Sequence, residues 1–117
     1  LMITDSCEAK YLPEGALAHL GSQEIHVEEG VARLKDNTIA ASILRLDQGL
    51  RNVRDLAKGY TYSDLINLVS LNPAKNLHLD KDYGSISPNK KANFAVLDKD
   101  FHVLMTIVNG KVVYRKG

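Results

Sequence analysis

The spacing of apolar residues changes from a period of two near the amino terminus to a helical period in the middle, and back again. Residues 1–4 form a short, largely apolar run, which is typical of a buried strand. Residues 23–27 and 30–34 alternate apolar and polar positions on either side of a Glu-Glu-Gly turn signal. This alternation predicts a small hairpin between two half-buried strands.

The middle of the chain predicts three helices. We place the longest between Ser42 as its N-cap and Gly59 as its C′ residue, because one face is apolar at three- and four-residue steps. That face comprises Ile43, Leu46, Leu50, Val53 and Ala57. Thr61 and Asp64 have the spacing of a capping box and open a second helix. Residues 72–77 predict a short third helix, with asparagine as N-cap and proline at N1.

The last third returns to a strand period. We predict strands over 94–97, 103–108 and 111–114, the last two joined by Asn109-Gly110, the strongest short hairpin signal. Three strands are too few to bury two faces unaided. We therefore expect their missing partners upstream of Leu1, and the chain to be a fragment of a longer protein.

Composition narrows the class of protein. Of 117 residues, 44% are hydrophobic and 25% are charged, and the formal net charge is +1. Such a charge gives no global field for nucleic acid or an anionic membrane, and no apolar run approaches the roughly 20 residues of a membrane span. The one dense basic spot, Lys90-Lys91, is expected to be solvated. A single cysteine excludes an internal disulfide and favours the cytoplasm.

Several segments together resemble one family. Residues 1–5 look like the last barrel strand of a metal-dependent amidohydrolase, ending in its single aspartate, and residues 72–77 look like the segment that follows the barrel. Residues 84–86, 90–97 and 107–113 are similar to that superfamily's carboxyl-terminal strands. The narrower resemblance, to N-acetylglucosamine-6-phosphate deacetylases, rests on four middle segments. These are residues 21–27, 30–32, 38–42 and 46–52.

The resemblance implies a fold and a division of the chain. We expect an α/β to α+β fragment that combines the last strand and helices of a (β/α)8 barrel with strands of a small β-sandwich. Residues 1–83 would belong to the catalytic barrel, including the hairpin as an insertion. Residues 84–117 would belong to the β-sandwich. The resemblance covers essentially the whole chain but only about the last third of such an enzyme.

The resemblance also implies site residues. Asp5 would be the catalytic acid and base, because barrel active sites lie at the carboxyl ends of the strands. Ala40, Ala41 and Ser42 would bind an amino-sugar phosphate, mainly through their backbone and the serine hydroxyl, at the entry of the long helix. From the residues alone, Asp5 is more often a turn former and Ser42 a helix cap.

The chain departs from the family at several positions. Ser6 and Cys7 follow the aspartate where the family usually has a small residue and methionine. Ala41 stands where glycine is usual, so its methyl group could crowd a ligand. Asn89 replaces a common glycine and tolerates the left-handed region, and Asn93 replaces a common aspartate.

The chain's own residues do not supply a metal site by spacing. None of its four histidines pairs with another at ligand spacing, so each is expected to be a surface or packing residue. They are His19, His26, His78 and His102. In the family, a glutamate and two histidines upstream hold a divalent metal, zinc or another transition metal, and the enzyme tends to form a homodimer. Arg51 and Asn52, on the polar side of the long helix, are expected to be solvated.

Two classes of function follow. The first is the carboxyl-terminal part of a hydrolase that deacetylates N-acetylglucosamine 6-phosphate with a divalent metal. In that case we expect this fragment alone to be inactive. Within that class, another amidohydrolase is the alternative, such as an adenine deaminase or a dihydroorotase-like enzyme. The second class is a non-catalytic α+β module derived from such an enzyme and used for packing or assembly.

Overall fold

A computed structural model describes all residues from Leu1 to Gly117. It contains two antiparallel sheets, three α-helices and one turn of 3₁₀ helix at Glu8–Tyr11. The chain divides into two compact units, one of residues 3–49 and one of residues 1–2 with 50–117. This division differs from the predicted boundary between residues 83 and 84. That boundary concerns the domains of a complete enzyme and stays a prediction.

The unit of residues 3–49 is built on a four-stranded meander. Its strands pair in chain order and are β1 (Leu17–Leu20), β2 (Gln23–Glu28), β3 (Val31–Leu34) and β4 (Ile39–Ser42). The predicted hairpin is confirmed as β2 and β3, and the turn Glu29-Gly30 has φ angles of 52° and 75°, as a two-residue hairpin turn of type I′ requires. Sequence analysis missed β1 and β4, whose four residues each are too short to show a period.

One face of this meander is the core of its unit. The buried residues are Ala9, Ala18, Ile25, Val27 and Ala32. Ala9 comes from the 3₁₀ turn, and the other four alternate along the strands. The opposite face carries charge, since Glu28 lies 3.4 Å from His26 Nε2 and 3.7 Å from Arg33 Nε. The period of two in the sequence therefore reports a sheet that is apolar on one face only.

Three helices precede the second sheet: α1 (Leu46–Leu56), α2 (Tyr62–Val69) and α3 (Leu71–Asn76). The predicted capping box is confirmed, because Thr61 Oγ1 accepts from the Asp64 backbone N–H and Asp64 Oδ2 accepts from that of Thr61. The predicted start of the third helix is wrong by two residues, since α3 begins directly after Ser70. Proline still lies in the first turn, where no backbone donor is needed.

The three carboxyl-terminal strands are confirmed. Strands β5 (Phe94–Leu97), β6 (Val103–Val108) and β7 (Lys111–Arg115) pair antiparallel in chain order. Asn109 and Gly110 have φ angles of 49° and 76°, which the type I′ turn between β6 and β7 needs.

Arg51 lies in the interior of the second unit, contrary to the prediction that it is solvated. The buried residues there are Leu50, Leu65 and Phe101, and partly buried Met2, Val53, Ile66, Leu68, Val69 and Leu97 pack against them. Arg51 is only 8% exposed, and its Nη1 donates to the Phe101 carbonyl at 3.2 Å. Phe101 has a φ of 63°, and the guanidinium satisfies the carbonyl of this left-handed residue.

Lys90 also differs from the prediction of a solvated side chain. Its Nζ donates to the backbone carbonyls of Asp80 and Tyr83 and to Ser85 Oγ. Close by in the chain, Gly84 has a φ of 89°, and a Cβ there would lie 2.7 Å from Ala74 Cβ. The lysine and the glycine together hold this loop against α3.

The predicted strand over residues 1–4 is wrong for this structure. Leu1 and Ile3 are 56% and 68% exposed, and the pairing of this region is a single parallel bridge between Ser6 and Ser42. A strand needs a ladder of several bonds to a neighbour, and the apolar run has no such ladder.

No helix of the structure has the length and apolarity that crossing a membrane would take.

Candidate functional site

Asp5 and Ser42, predicted on separate elements, are joined through their backbones. The Ser42 N–H donates to the Asp5 carbonyl at 3.0 Å, and the Cys7 N–H donates to the Ser42 carbonyl at 3.1 Å. The two bonds form a parallel bridge at the end of β4. The structure therefore places the predicted catalytic residue beside the end of the predicted substrate-binding segment.

The carboxylate of Asp5 sits on a constrained backbone. Asp5 is exposed and has a φ of 51°, a left-handed conformation that aspartate adopts more readily than most residues. On either side of it, Thr4 Oγ1 and Ser6 Oγ are 2.9 Å apart and hydrogen-bonded. Sequence analysis missed this pair. Hydroxyl residues directly before and after a candidate acid are the signal that could have shown it.

A β-bulge lies within the predicted substrate-binding segment. Ala32 pairs with Ala41 and Arg33 with Ile39, so Ala40 is an extra residue without a partner on β3. A bulge takes its extra residue out of the ladder and turns the strand. Bulges of this kind are common beside active sites, where they re-aim side chains and free backbone groups.

Ala40 and Ala41 both pack against the core of the meander unit. Consecutive residues of a regular strand point to opposite faces, and the bulge is the reason that these two do not. The methyl group of Ala41 therefore fills space next to buried residues such as Ala32. The expectation that it would crowd a ligand does not follow from this packing.

Ser42 is not the N-cap of the long helix, so that prediction is wrong. It is the last residue of β4, and α1 begins at Leu46. Its Oγ accepts from the Leu44 backbone N–H at 2.8 Å, a turn that serine forms two residues ahead of itself. The predicted helix entry at Ala40 to Ser42 is thus a strand end and a turn. Gly59 was predicted as the C′ residue of the same helix. It has a φ of 93° but lies three residues beyond the end of α1.

A neighbouring surface of this unit carries a depression. It is open, has a volume of about 410 Å³, and contains none of the four predicted site residues. Lys10 and Arg45 give it two cationic side chains, of which Arg45 Nε lies 3.7 Å from Asp47 Oδ1. Its residues are Lys10, Tyr11, Leu12, Gly30, Ile43, Leu44, Arg45 and Gln48.

A metal site needs several acidic, histidine or cysteine side chains close together. No three of them gather closely enough to hold a metal ion. Cys7 is half-buried and packs against the apolar core of its unit. The residues of this chain do not form a metal site by themselves.

Three carboxylates have lowered pKa values, and all three belong to turns or caps. The backbone N–H of Thr38 lowers the pKa of Asp36, and that of His102 lowers the pKa of Asp98. The Thr61 hydroxyl lowers the pKa of Asp64. These shifts come from hydrogen bonds to the charged form, and they indicate structural roles.

Comparison with known proteins covers nearly the whole chain. The model of the Amidohydrolase family matches residues 4–113. N-acetylglucosamine-6-phosphate deacetylase of Bacillus subtilis (strain 168) is 33% identical over 97% of this chain and 28% of that protein. N-acetylgalactosamine-6-phosphate deacetylase of Escherichia coli O157:H7 is also 33% identical, over 96% of this chain and 29% of that protein. The chain spans less than a third of either relative.

Solved structures of N-acetylglucosamine-6-phosphate deacetylases also resemble this chain. The structure is similar to N-acetylglucosamine-6-phosphate deacetylase of Thermotoga maritima with a TM-score of 0.86 and 37% identity, over 97% of this chain and 31% of that one. A mutant of the Mycobacterium smegmatis deacetylase, solved in complex with N-acetyl-D-glucosamine-6-phosphate, matches with a TM-score of 0.78 and 29% identity. That match covers 95% of this chain and 29% of the other.

Proposed function

The chain belongs to the amidohydrolase family, and from this we propose that it is the carboxyl-terminal part of an enzyme that deacetylates N-acetylglucosamine 6-phosphate. The products would be glucosamine 6-phosphate and acetate, in amino-sugar catabolism. The observation that carries the proposal is the backbone bridge between Asp5 and Ser42, which unites the candidate acid with the candidate substrate segment. Within that enzyme, the chain would contribute to a (β/α)8 barrel and, from residue 84, to a small β-sandwich.

Asp5 is proposed as the general base and acid. Amide hydrolysis needs a group that takes a proton from the attacking water and then delivers one to the leaving amine. An exposed carboxylate on a fixed backbone can do both. The amide carbon–nitrogen bond breaks, acetate leaves with the water's oxygen, and the amine nitrogen receives the proton.

The complete enzyme is proposed to use a divalent metal ion, zinc or another transition metal. Such an ion activates water and polarises the carbonyl. Its ligands would come from outside this chain, because no three suitable side chains gather within it. No step assigned to Asp5 depends on the identity of that metal.

The substrate segment is proposed to act mainly through its backbone. Ala40 is the bulged residue and has no partner on β3, so the β3–β4 ladder is locally disrupted there. Ala41 and Ser42 would complete the contact with the amino-sugar phosphate. We also propose that the complete enzyme works in the cytoplasm as a homodimer.

N-acetylgalactosamine 6-phosphate is the second candidate substrate, because relatives with either specificity are equally similar to this chain. The two sugars differ only in the orientation of one hydroxyl group. An adenine deaminase or a dihydroorotase-like enzyme remains an alternative reaction within the family. A non-catalytic module remains the alternative outside catalysis.

The test uses the complete protein with Zn²⁺ or another divalent metal, and it measures acetate release from the amino-sugar phosphates and ammonia release from adenine. We expect turnover of N-acetylglucosamine 6-phosphate, with the galacto isomer and adenine as competing substrates in parallel assays. Preference for the galacto isomer would make N-acetylgalactosamine 6-phosphate the proposed substrate. Turnover of adenine alone would replace deacetylation by deamination as the proposed reaction. If no N-acetyl amino-sugar phosphate is hydrolysed, the deacetylase proposal fails.

Asp5→Asn in the complete protein tests the catalytic assignment. We expect kcat to fall by at least about 100-fold, because loss of a general acid–base group usually costs 10² to 10⁴. The matched control is Asp36→Asn, which removes a turn carboxylate that contacts Thr38 and should leave kcat within about twofold of wild type. Nearly unchanged turnover in the Asp5 variant would rule the assignment out.

A further inference from the structure

Two hydroxyl groups form a bridge over the backbone of Asp5. Thr4 Oγ1 and Ser6 Oγ are 2.9 Å apart, and both residues are half-buried. The short distance between the two hydroxyl groups shows that Thr4 and Ser6 share one side of the segment. Their hydrogen bond restricts the rotamers of both side chains and, with them, the backbone between them.

A second restraint holds the same residue from the other direction. The Asp5 carbonyl accepts from the Ser42 N–H, and the Cys7 N–H donates back to the Ser42 carbonyl. Asp5 is thereby held in a left-handed conformation, at φ 51°, between a side-chain bridge and a backbone bridge. Such a conformation persists only where the surroundings determine it.

We propose that Thr4 and Ser6 are positioning residues, whose mutual hydrogen bond holds the Asp5 carboxylate in its productive orientation. In this role neither would touch the reacting atoms. This inference rests on the proposed function, since it concerns the orientation of the proposed acid and base. Small misplacement of a catalytic group is costly because the reacting atoms must meet within a narrow range of geometry.

A double-mutant cycle in the complete enzyme tests the inference. Thr4→Val and Ser6→Ala each remove one partner of the hydrogen bond with little change of shape. We expect each single variant and the double variant to lose about fivefold in kcat, the factor that corresponds to one neutral hydrogen bond. KM should stay within about twofold of wild type, because substrate contacts are unchanged.

Two further variants separate positioning from general stability. Ser6→Thr keeps the hydroxyl and should restore most of kcat. Ser63→Ala removes an exposed serine hydroxyl on α2 and should change neither kcat nor the melting temperature.

Each remaining outcome contradicts the inference in a distinct way. If kcat is unchanged in all three cycle variants while Asp5→Asn is inactive, the deacetylase stands and the positioning role is refuted. Losses that are additive, or that follow the melting temperature, would show a purely structural bond and also refute it. A wild-type enzyme without deacetylase activity would overturn the proposed function, and this inference with it.

Discussion

At the scale of single residues, Ala41 shows how backbone geometry decides what a side chain does. Ala41 pairs with the fully buried Ala32, so its methyl lies on the core face of the sheet. The bulge at Ala40 brings the methyl groups of Ala40 and Ala41 against the same apolar core. We therefore expect the replacement of a usual glycine by alanine to act mainly on packing.

Ala41→Gly should therefore affect stability more than substrate binding. We expect the free energy of unfolding to fall by about 1 kcal/mol, from the flexibility of glycine in a strand and the lost methyl contact. KM for the amino-sugar phosphate should change little. Ala95→Gly, at an exposed position of β5, controls for the cost of glycine alone. A several-fold drop in KM of the Ala41 variant would show that its methyl faces the substrate.

Other residue-level expectations had mixed outcomes. Asn89 does adopt the left-handed region, with φ 69°, because its short side chain tolerates it. Lys90 and Arg51 were expected in solvent, yet both donate to backbone carbonyls. A sequence shows that a residue is cationic but not which carbonyls a loop or a core leaves unpaired. Those acceptors exist only once distant segments have met.

At the scale of elements, local chemistry explains which boundaries were predicted. The capping box of α2 and the Asn109-Gly110 turn involve residues no more than three apart in the chain. Both are correct to the residue. The start of α1 is three residues later than predicted, because Ser42 is drawn into β4 by its partners Val31 and Asp5. A local cap signal cannot compete with pairing to distant segments.

Thr61→Ala should weaken α2 and do so in a pH-dependent way. At neutral pH we expect a loss of about 1 kcal/mol in the free energy of unfolding, as for other N-cap substitutions. The Thr61 hydroxyl lowers the pKa of Asp64 in the folded state below its ordinary value of 3.8. The stabilisation is therefore present above pH 3.8 and is lost as the pH falls through the lower folded value.

Thermal unfolding from neutral to acidic pH measures this effect. The difference in melting temperature between wild type and Thr61→Ala should narrow as Asp64 becomes protonated. Asp82→Asn, which neutralises an exposed carboxylate outside the capping box, serves as the control. Introduced into both proteins, it should leave their difference in stability at each pH unchanged. A difference that stays constant at acidic pH would show that Asp64 contributes nothing through its charge.

At the scale of the whole molecule, the two compact units each have a core, but the proposed chemistry needs more than either supplies. The meander unit carries Asp5 and the bulged segment, and no three potential metal ligands gather in the chain. With less than a third of the relatives' length present, the remaining ligands must come from further polypeptide if the proposal is right.

This chain alone should therefore release no acetate from N-acetylglucosamine 6-phosphate, whereas the complete protein should. The physical reason is that one carboxylate without a metal-activated water gives little acceleration of amide hydrolysis. Assays of both proteins at matched concentration, with and without added Zn²⁺, measure this. Metal-dependent turnover by the isolated chain would contradict the proposal that the ligands lie elsewhere.

The sequence by itself determined what depends on near neighbours: the β2–β3 hairpin, the capping box, the final three strands and, through its motifs, the family. Only the tertiary structure decided what depends on distant pairing. It joined Asp5 to Ser42, made Ala40 a bulge, paired Ala41 with buried Ala32 and buried Arg51. The reason is physical. Local turns and caps are satisfied within a few residues, whereas a bulge or a buried cation depends on partners that only the folded chain brings within reach.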